Sequence, residues 1–203
     1  TEDSKKFENE YKNFLDSEFS LSKTYKSNKA DWLEGSWKGL STASFDARRG
    51  KTAVEKNDLI SISVAIHKLP EEFTAHKRIK KIYNDRSVSV LNGVGIDWAT
   101  AEALAFASLL SDGFGVRLSG QDVGRGTFSQ RHAVLYDQMD EKRFVPLRHF
   151  QDQQGLFEIV DSFLSEYGVL GFEYGYSQVD PKTLVLWEGQ FGDFANNAQT
   201  IID

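Results

Sequence analysis

The 203-residue chain contains no cysteine. That excludes a disulfide scaffold, a thiolate zinc site and a cysteine nucleophile. Methionine is nearly absent too. The only one is Met139, so Thr1 is not an initiator, and the chain reads as a processed product or a piece of something longer. No apolar run approaches the roughly 20 residues needed to cross a bilayer. No signal peptide or Arg-rich transit segment opens the sequence. Positive charge is in deficit, with 24 Lys and Arg against 30 Asp and Glu and a net charge of −6. A general nucleic-acid binder needs the opposite balance, because its cations must face phosphate. Neither a membrane nor a nucleic acid is therefore expected as a partner.

Glycine is scarce where the chain begins. Only Gly35, Gly39 and Gly50 precede residue 91, and the other 13 of the 16 follow it. The first half is thus helix-permissive and charged, and the second is rich in turns and close backbone approaches. A boundary is expected near Asn92-Gly93. In the first half, Phe7, Tyr11, Phe14 and Leu15 recur at helical spacing, within a half that reads as short helices. Trp32-Leu33 and Trp37 fall in a loop-like stretch, followed by the polar segment 46–50. Leu59–Leu69 fits strand alternation and helical spacing alike. Asn57 or Asp58 can cap a start and Pro70 forces a stop, which favours a helix. Phe73–Asn84 also reads as helix, with Ile79 and Ile82 inward. Its Lys77, Arg78, Lys80 and Lys81 could make a basic patch, but the plainer reading, a solvated helix face, is favoured.

The second half alternates helix and strand. Asp97 can cap a helix over Trp98–Ser111 that is apolar on nearly all sides, as for a buried helix or one between two bodies. Phe114–Leu118, Leu156–Val160 and Thr183–Trp187 read as strands, the last apolar throughout, as in a sheet covered on both faces. Ser165 can cap a helix to about Tyr176, and Phe194–Ile202 opens another. This order predicts an α/β domain with a parallel sheet.

The common catalytic signatures are missing. There is no Walker A sequence and no Gly-x-Ser-x-Gly elbow. Gly93-Val-Gly95 follows no strand and reads as a hinge. The four histidines, at 67, 76, 132 and 149, form no i, i+4 metal pair. Three places remain, all after strands or at a helix start, where ligands of open α/β sheets bind. Leu118–Gly126 is a glycine-bounded loop in which Gln121 offers both a donor and an acceptor; the plainer alternative is a tight turn. Glu166 opens a helix among apolar neighbours. Burial there favours its neutral form and the helix terminus its ionised form, so it can share a proton with a ligand nitrogen; the alternative is a capping carboxylate. Gly168, Gly171 and Gly175 share a side of that helix, where another backbone can come close. Trp187–Phe194 carries Gln190 and aromatic rings able to orient and stack on a flat heterocycle; the alternative is that Phe191 and Phe194 are core.

Together these segments resemble the decarboxylating first component of 2-oxoglutarate dehydrogenase, a thiamine diphosphate enzyme. The matching stretches are Gly95–Phe106, Arg117–His132, Ser165–Gly175 and Leu186–Ala195. Asn28–Leu33 and Arg48–Thr52 are similar to the bacterial branch of that family. The sister component acting on 2-oxoadipate shares much of the Gln121 and Glu166 segments and stands as an alternative. A non-catalytic assembly fragment is a third reading, which the retained Gln121, Glu166, Gln190 and Phe194 oppose.

The resemblance implies a helical connector over 1–92 and the first part of a transketolase-like pyrimidine-binding domain over 93–203, cut short at Asp203. It implies that Glu166 hydrogen-bonds a ring nitrogen of the cofactor's aminopyrimidine and promotes loss of the thiazolium proton. Phe194 would stack on that ring, with Gln121 and Gln190 orienting it. His132 is a weaker candidate for facing the active centre. The magnesium ligands and the substrate-reading histidines of the family would lie outside this chain, so the isolated piece is expected to be inactive. The expected partners are a second protomer in a homodimer, dihydrolipoyl succinyltransferase, dihydrolipoyl dehydrogenase and 2-oxoglutarate. The expected compartment is the cytoplasm in a bacterium, or the mitochondrial matrix in a eukaryote.

Overall fold

A computed structural model describes residues 2–25, 35–45, 49–192 and 197–202. The chain divides into two units, Thr1–Ser41 and Thr42–Asp203. In the first, helix α1 spans Glu2–Ser22, one long helix rather than several short ones. Its Lys12 and Glu8 pair at 2.6 Å, one turn apart, a contact worth a few tenths of a kcal/mol. Trp37 closes a short 3-10 turn, Gly35–Trp37. Trp32 and Leu33 lie outside the described residues, as do residues 46–48 of the polar segment.

The second unit opens with α2, Lys56–Ile66. Burial decides the ambiguity of this stretch. Ile62 and Ile66 are buried, whereas Val64, which strand alternation would bury, is half exposed. The helix starts earlier than expected. Glu55 takes the cap position without a side-chain bond, leaving Asp58 in the first turn. Helix α3 runs Lys77–Asn92, shifted towards the C-terminus from the expected 73–84. Its start is delayed because the Thr74 carbonyl accepts from the Gln138 N–H at 2.9 Å, while the Arg78 N–H is taken by the capping His76 side chain at 3.2 Å. Its end is set by Gly93, at φ +70°, a conformation that favours glycine. Helix α4 spans Trp98–Ser111, and Asp97 caps it by accepting from the Thr100 N–H at 2.7 Å. Leu104, Phe106, Ala107 and Leu110 are buried, but Trp98 is 91% exposed, so this helix is not covered on all sides.

Strands β1 (Gly115–Gly120), β4 (Phe157–Asp161) and β5 (Thr183–Glu188) form one parallel sheet in the order β4-β1-β5. The expected α/β class and parallel sheet are thus present. Leu118 sits opposite Ile159 on one side and Leu186 on the other. Side chains alternate across a strand, so Val116, Leu118, Phe157 and Ile159 share one face. They pack there into a single core with Leu104, Phe106 and Leu110 of α4, Ile62 and Ile66 of α2, and Val90 of α3. Arg117 points the other way, to α5 (Glu166–Val179), whose cap is Ser165 as expected. A small antiparallel ribbon, β2 (Leu135–Tyr136) with β3 (Arg143–Phe144), interrupts the path from β1 to β4; two-residue strands leave no periodicity to read. Strand β5 lies at the edge of the described sheet and Leu184 is 40% exposed, so its expected cover on both faces is incomplete. Beyond it, Asn197–Thr200 is a 3-10 turn and not the start of an α-helix.

Two outcomes follow. Leu110→Ala empties a fully enclosed site and is expected to cost about 2–5 kcal/mol, read as a lower urea midpoint. His67 is held between Ser63, whose carbonyl accepts its Nδ1–H at 2.9 Å, and the ring of Tyr83, met edge-on at 5.4 Å. Burial, joined by the nearby Arg86, lowers its pKa from 6.5 to about 4. The unfolded chain gains a proton near the ordinary histidine value and the folded chain does not. Stability contributed by neutral His67 is therefore full above about pH 6.5 and declines as the pH falls towards 4. Urea midpoints should drop between pH 7 and pH 5, and His67→Gln should flatten that slope.

Candidate functional site

Three loops leave the carboxyl edge of the sheet side by side. Gly120 pairs with Asp161 and Glu188, the last residues of their strands. Gln121 is therefore one residue beyond the edge, Gln190 two beyond it on the neighbouring strand, and the 162–165 turn leads into α5. Glu166 is the first residue of that helix and is buried. Its carboxylate accepts from the backbone N–H of Gln190 and from the N–H of Phe191, the latter at 3.1 Å. A buried carboxylate needs such donors to remain inside. Glu166 does more than cap α5, because Ser165 already accepts from the Gly168 N–H at 3.2 Å. The glutamate instead ties the helix start to the end of β5.

The amides flank it. Gln190 Nε2 reaches Thr127 Oγ1 at 3.5 Å, linking the β5 loop to the β1 loop. Gln121 is half-buried and makes no side-chain hydrogen bond among the described residues. Phe191 is 65% exposed at the same edge, so it is not core. Phe194 lies outside the described residues. Inside the edge, Ser119 Oγ and Trp187 Nε1 are buried without a hydrogen-bond partner among the described residues. They are register partners, on the face that α5 covers. Buried polar atoms of this kind await a water or a ligand group.

The loop after β1 is held rigidly. Asp122, Ser129 and His132 are left-handed although none is glycine, at φ +57°, +55° and +51°. Such conformations cost about 1–3 kcal/mol each and persist only where the surroundings fix them. The fixing groups are visible. Tyr83 donates to the His132 carbonyl at 2.7 Å, and Arg86 donates to the carbonyls of Gln130 and Arg131, the latter at 3.0 Å. The Gly124 N–H is held by Asp161 at 3.0 Å. His132 is buried, and burial with Arg86 nearby lowers its pKa. It lines a cavity of about 420 Å³ together with His76, Arg125 and Tyr136. Gln121, Glu166 and Gln190 do not line that cavity. They form an open edge instead.

Sequence reasoning passed over Arg131, Glu102 and Glu188. Arg131 is buried and its guanidinium lies between Glu102 of α4 and Glu188 at the end of β5. Burial works against its charge, yet the two carboxylates hold its pKa above the ordinary arginine value. The available signal was Glu188 directly after an apolar strand, a place where a carboxylate needs a partner. Among the described residues, no three His, Asp or Glu side chains converge on a possible metal site. No helix is long and apolar enough to cross a membrane.

The donor set of this edge is one buried carboxylate, two amides and an exposed ring. It suits a neutral, flat, nitrogen-containing heterocycle better than a phosphate, for which cations are needed. A model of the family described as "Transketolase, pyrimidine binding domain" matches residues 94–203. Proteins named 2-oxoglutarate dehydrogenase E1 component from Brucella anthropi and Brucella canis are each 53% identical over 191 residues, 93% of this chain. That of Brucella melitensis biotype 2 is 52% identical over the same length. The chain spans about a fifth of the length of these curated relatives, 19% in each case.

The tight edge is testable at Gly120. Its φ is +153°, and a Cβ there would meet the Glu188 carbonyl oxygen at 2.4 Å and Val123 at 2.8 Å. Gly120→Ala should lower stability by about 1–3 kcal/mol, measured by thermal denaturation. An unchanged midpoint would mean that the two loops are not pressed together here.

Proposed function

Because the chain belongs to the transketolase pyrimidine-binding domain family, we propose that it supplies the aminopyrimidine half of a thiamine diphosphate site. The parent protein would be a 2-oxoglutarate dehydrogenase that decarboxylates 2-oxoglutarate and passes the succinyl group to lipoamide. The observation that carries this reading is the buried Glu166 carboxylate, held by two backbone N–H groups at the carboxyl edge of a parallel sheet. The names of the relatives support the substrate.

Thiamine diphosphate, when bound, supplies a thiazolium ring that takes up the electron pair left as carbon dioxide departs. The residues of this chain serve its other ring. Glu166 holds a proton between its carboxyl and a ring nitrogen of the aminopyrimidine, which makes the exocyclic amine a stronger base. The N–H groups of Gln190 and Phe191 fix the carboxyl so that it needs no reorganisation. The side chains of Gln121 and Gln190 would orient the heterocycle, and Phe194 would stack on it. Magnesium and the diphosphate would be held by residues elsewhere in the parent protein.

The open edge and the exposed Phe163, Phe172 and Phe191 suit a second wall supplied by another protomer. The glycine side of α5 is open only at its end, since a Cβ at Gly175 would meet nothing while one at Gly171 would meet Ile201 at 3.6 Å. We place the boundary of the heterocycle-binding part near Asn92-Gly93, with α2 and α3 bracing it. The parent enzyme would work beside dihydrolipoyl succinyltransferase and dihydrolipoyl dehydrogenase, in the cytoplasm of a bacterium.

In the full-length enzyme, Glu166→Gln should leave far-UV circular dichroism unchanged and lower 2-oxoglutarate decarboxylation by roughly 10²–10⁴-fold, the loss typical of a proton-transfer partner. Undiminished activity would contradict the assignment. The wild-type enzyme should prefer 2-oxoglutarate over 2-oxoadipate; the reverse preference would transfer the reading to the longer diacid.

A further inference from the structure

Arg131 uses all five of its N–H donors. Its Nε and Nη2 grip Glu102 at 2.6 and 3.1 Å. Nη1 donates to the Val123 carbonyl and to Glu188 Oε1, both at 2.9 Å, and Nη2 also donates to Glu188 Oε2. The guanidinium thus makes two forked pairs and one backbone bond. Three elements meet on it: helix α4 through Glu102, the β1 loop through Val123, and the end of β5 through Glu188. Arg131 is only 7% exposed. Its own backbone carbonyl is fixed by Arg86 at 3.0 Å.

The position of Glu188 gives this node its meaning. It is two residues before Gln190 and three before Phe191, whose N–H groups hold the Glu166 carboxylate. Only Gly189 separates the clamped residue from the first of these donors. We propose that Arg131 is a positioning residue: by gripping Glu188 through both oxygens, it sets the backbone N–H groups that orient Glu166. The claim rests on the reading of Glu166 as the aminopyrimidine partner. It also explains why an arginine is used. A lysine ammonium cannot form two planar forks at once. A buried ion network is in itself a weak source of stability, whereas a displacement of about 1 Å at a reacting group can lower a rate by about 100-fold.

The test uses the full-length enzyme and the variants Arg131→Lys, Glu188→Gln and Arg148→Lys. Arg148 donates to the Phe157 carbonyl at 3.0 Å, at the opposite end of the sheet, and serves as the structural control. The readouts are the melting temperature, the Kd for thiamine diphosphate from tryptophan quenching, and kcat and KM for 2-oxoglutarate. Arg131→Lys and Glu188→Gln should each raise the cofactor Kd about tenfold and lower kcat about 10- to 100-fold, with KM held within about threefold. Arg148→Lys should lower the melting temperature alone. The proposal is overturned if Arg131→Lys and Glu188→Gln keep wild-type Kd and kcat, whether or not the melting temperature falls. If Arg131→Lys does not fold, Glu188→Gln decides by the same criterion. Failure of the underlying reading shows separately, as a wild-type enzyme that neither binds the cofactor nor decarboxylates 2-oxoglutarate.

Discussion

A carboxylate taken out of water must find donors, and in this chain Glu166 finds them on a strand end far away in sequence. The N–H groups of Gln190 and Phe191 meet it from the end of β5. Helix start and strand end are thereby fixed to one another. The parallel register puts Glu188 beside Gly120, which brings the β1 loop and Gln121 to the same edge. Without that register the amides and the carboxylate would not lie at a common edge.

The two faces of the sheet are built by different chemistry. Towards α4 the contact is apolar, with Leu118, Phe157 and Leu110 enclosed. Towards α5 it turns on Arg117, which forks onto Glu173 at 2.8 and 3.0 Å and reaches Glu158 at 3.3 Å. The guanidinium also stacks on Phe172 and Tyr176. Planar, directional contacts of this kind hold a helix at one angle and one register, while an apolar interface is fixed by the fit of its side chains alone. The helix that presents Glu166 is thus attached by the more directional of the two interfaces.

Much of this was legible in the sequence. Asp97 and Ser165 announced their helices because a cap is a local signal, and both cap as expected. The three parallel strands were visible as short apolar runs bounded by glycine or proline. Gln121, Glu166 and Gln190 stood out because each follows a strand or opens a helix, and the structure brings their segments to one edge. What sequence pattern missed was non-local. Nothing near Arg131 reveals that Glu102 and Glu188 will converge on it from 29 and 57 residues away. The ribbon of β2 and β3 is too short for a period. The shift of α3 follows from a tertiary bond between the Gln138 N–H and the Thr74 carbonyl. Trp98 fitted an apolar pattern, but a pattern around a helix does not say which residues meet a partner.

The most direct test of the central claim is a crystal structure of the full-length enzyme with thiamine diphosphate bound. A Glu166 oxygen should lie about 2.6–3.2 Å from a ring nitrogen of the aminopyrimidine, with the Gln190 and Phe191 N–H groups still on the carboxyl. A heterocycle seated away from this edge, or a Glu166 side chain turned into solvent, would contradict it.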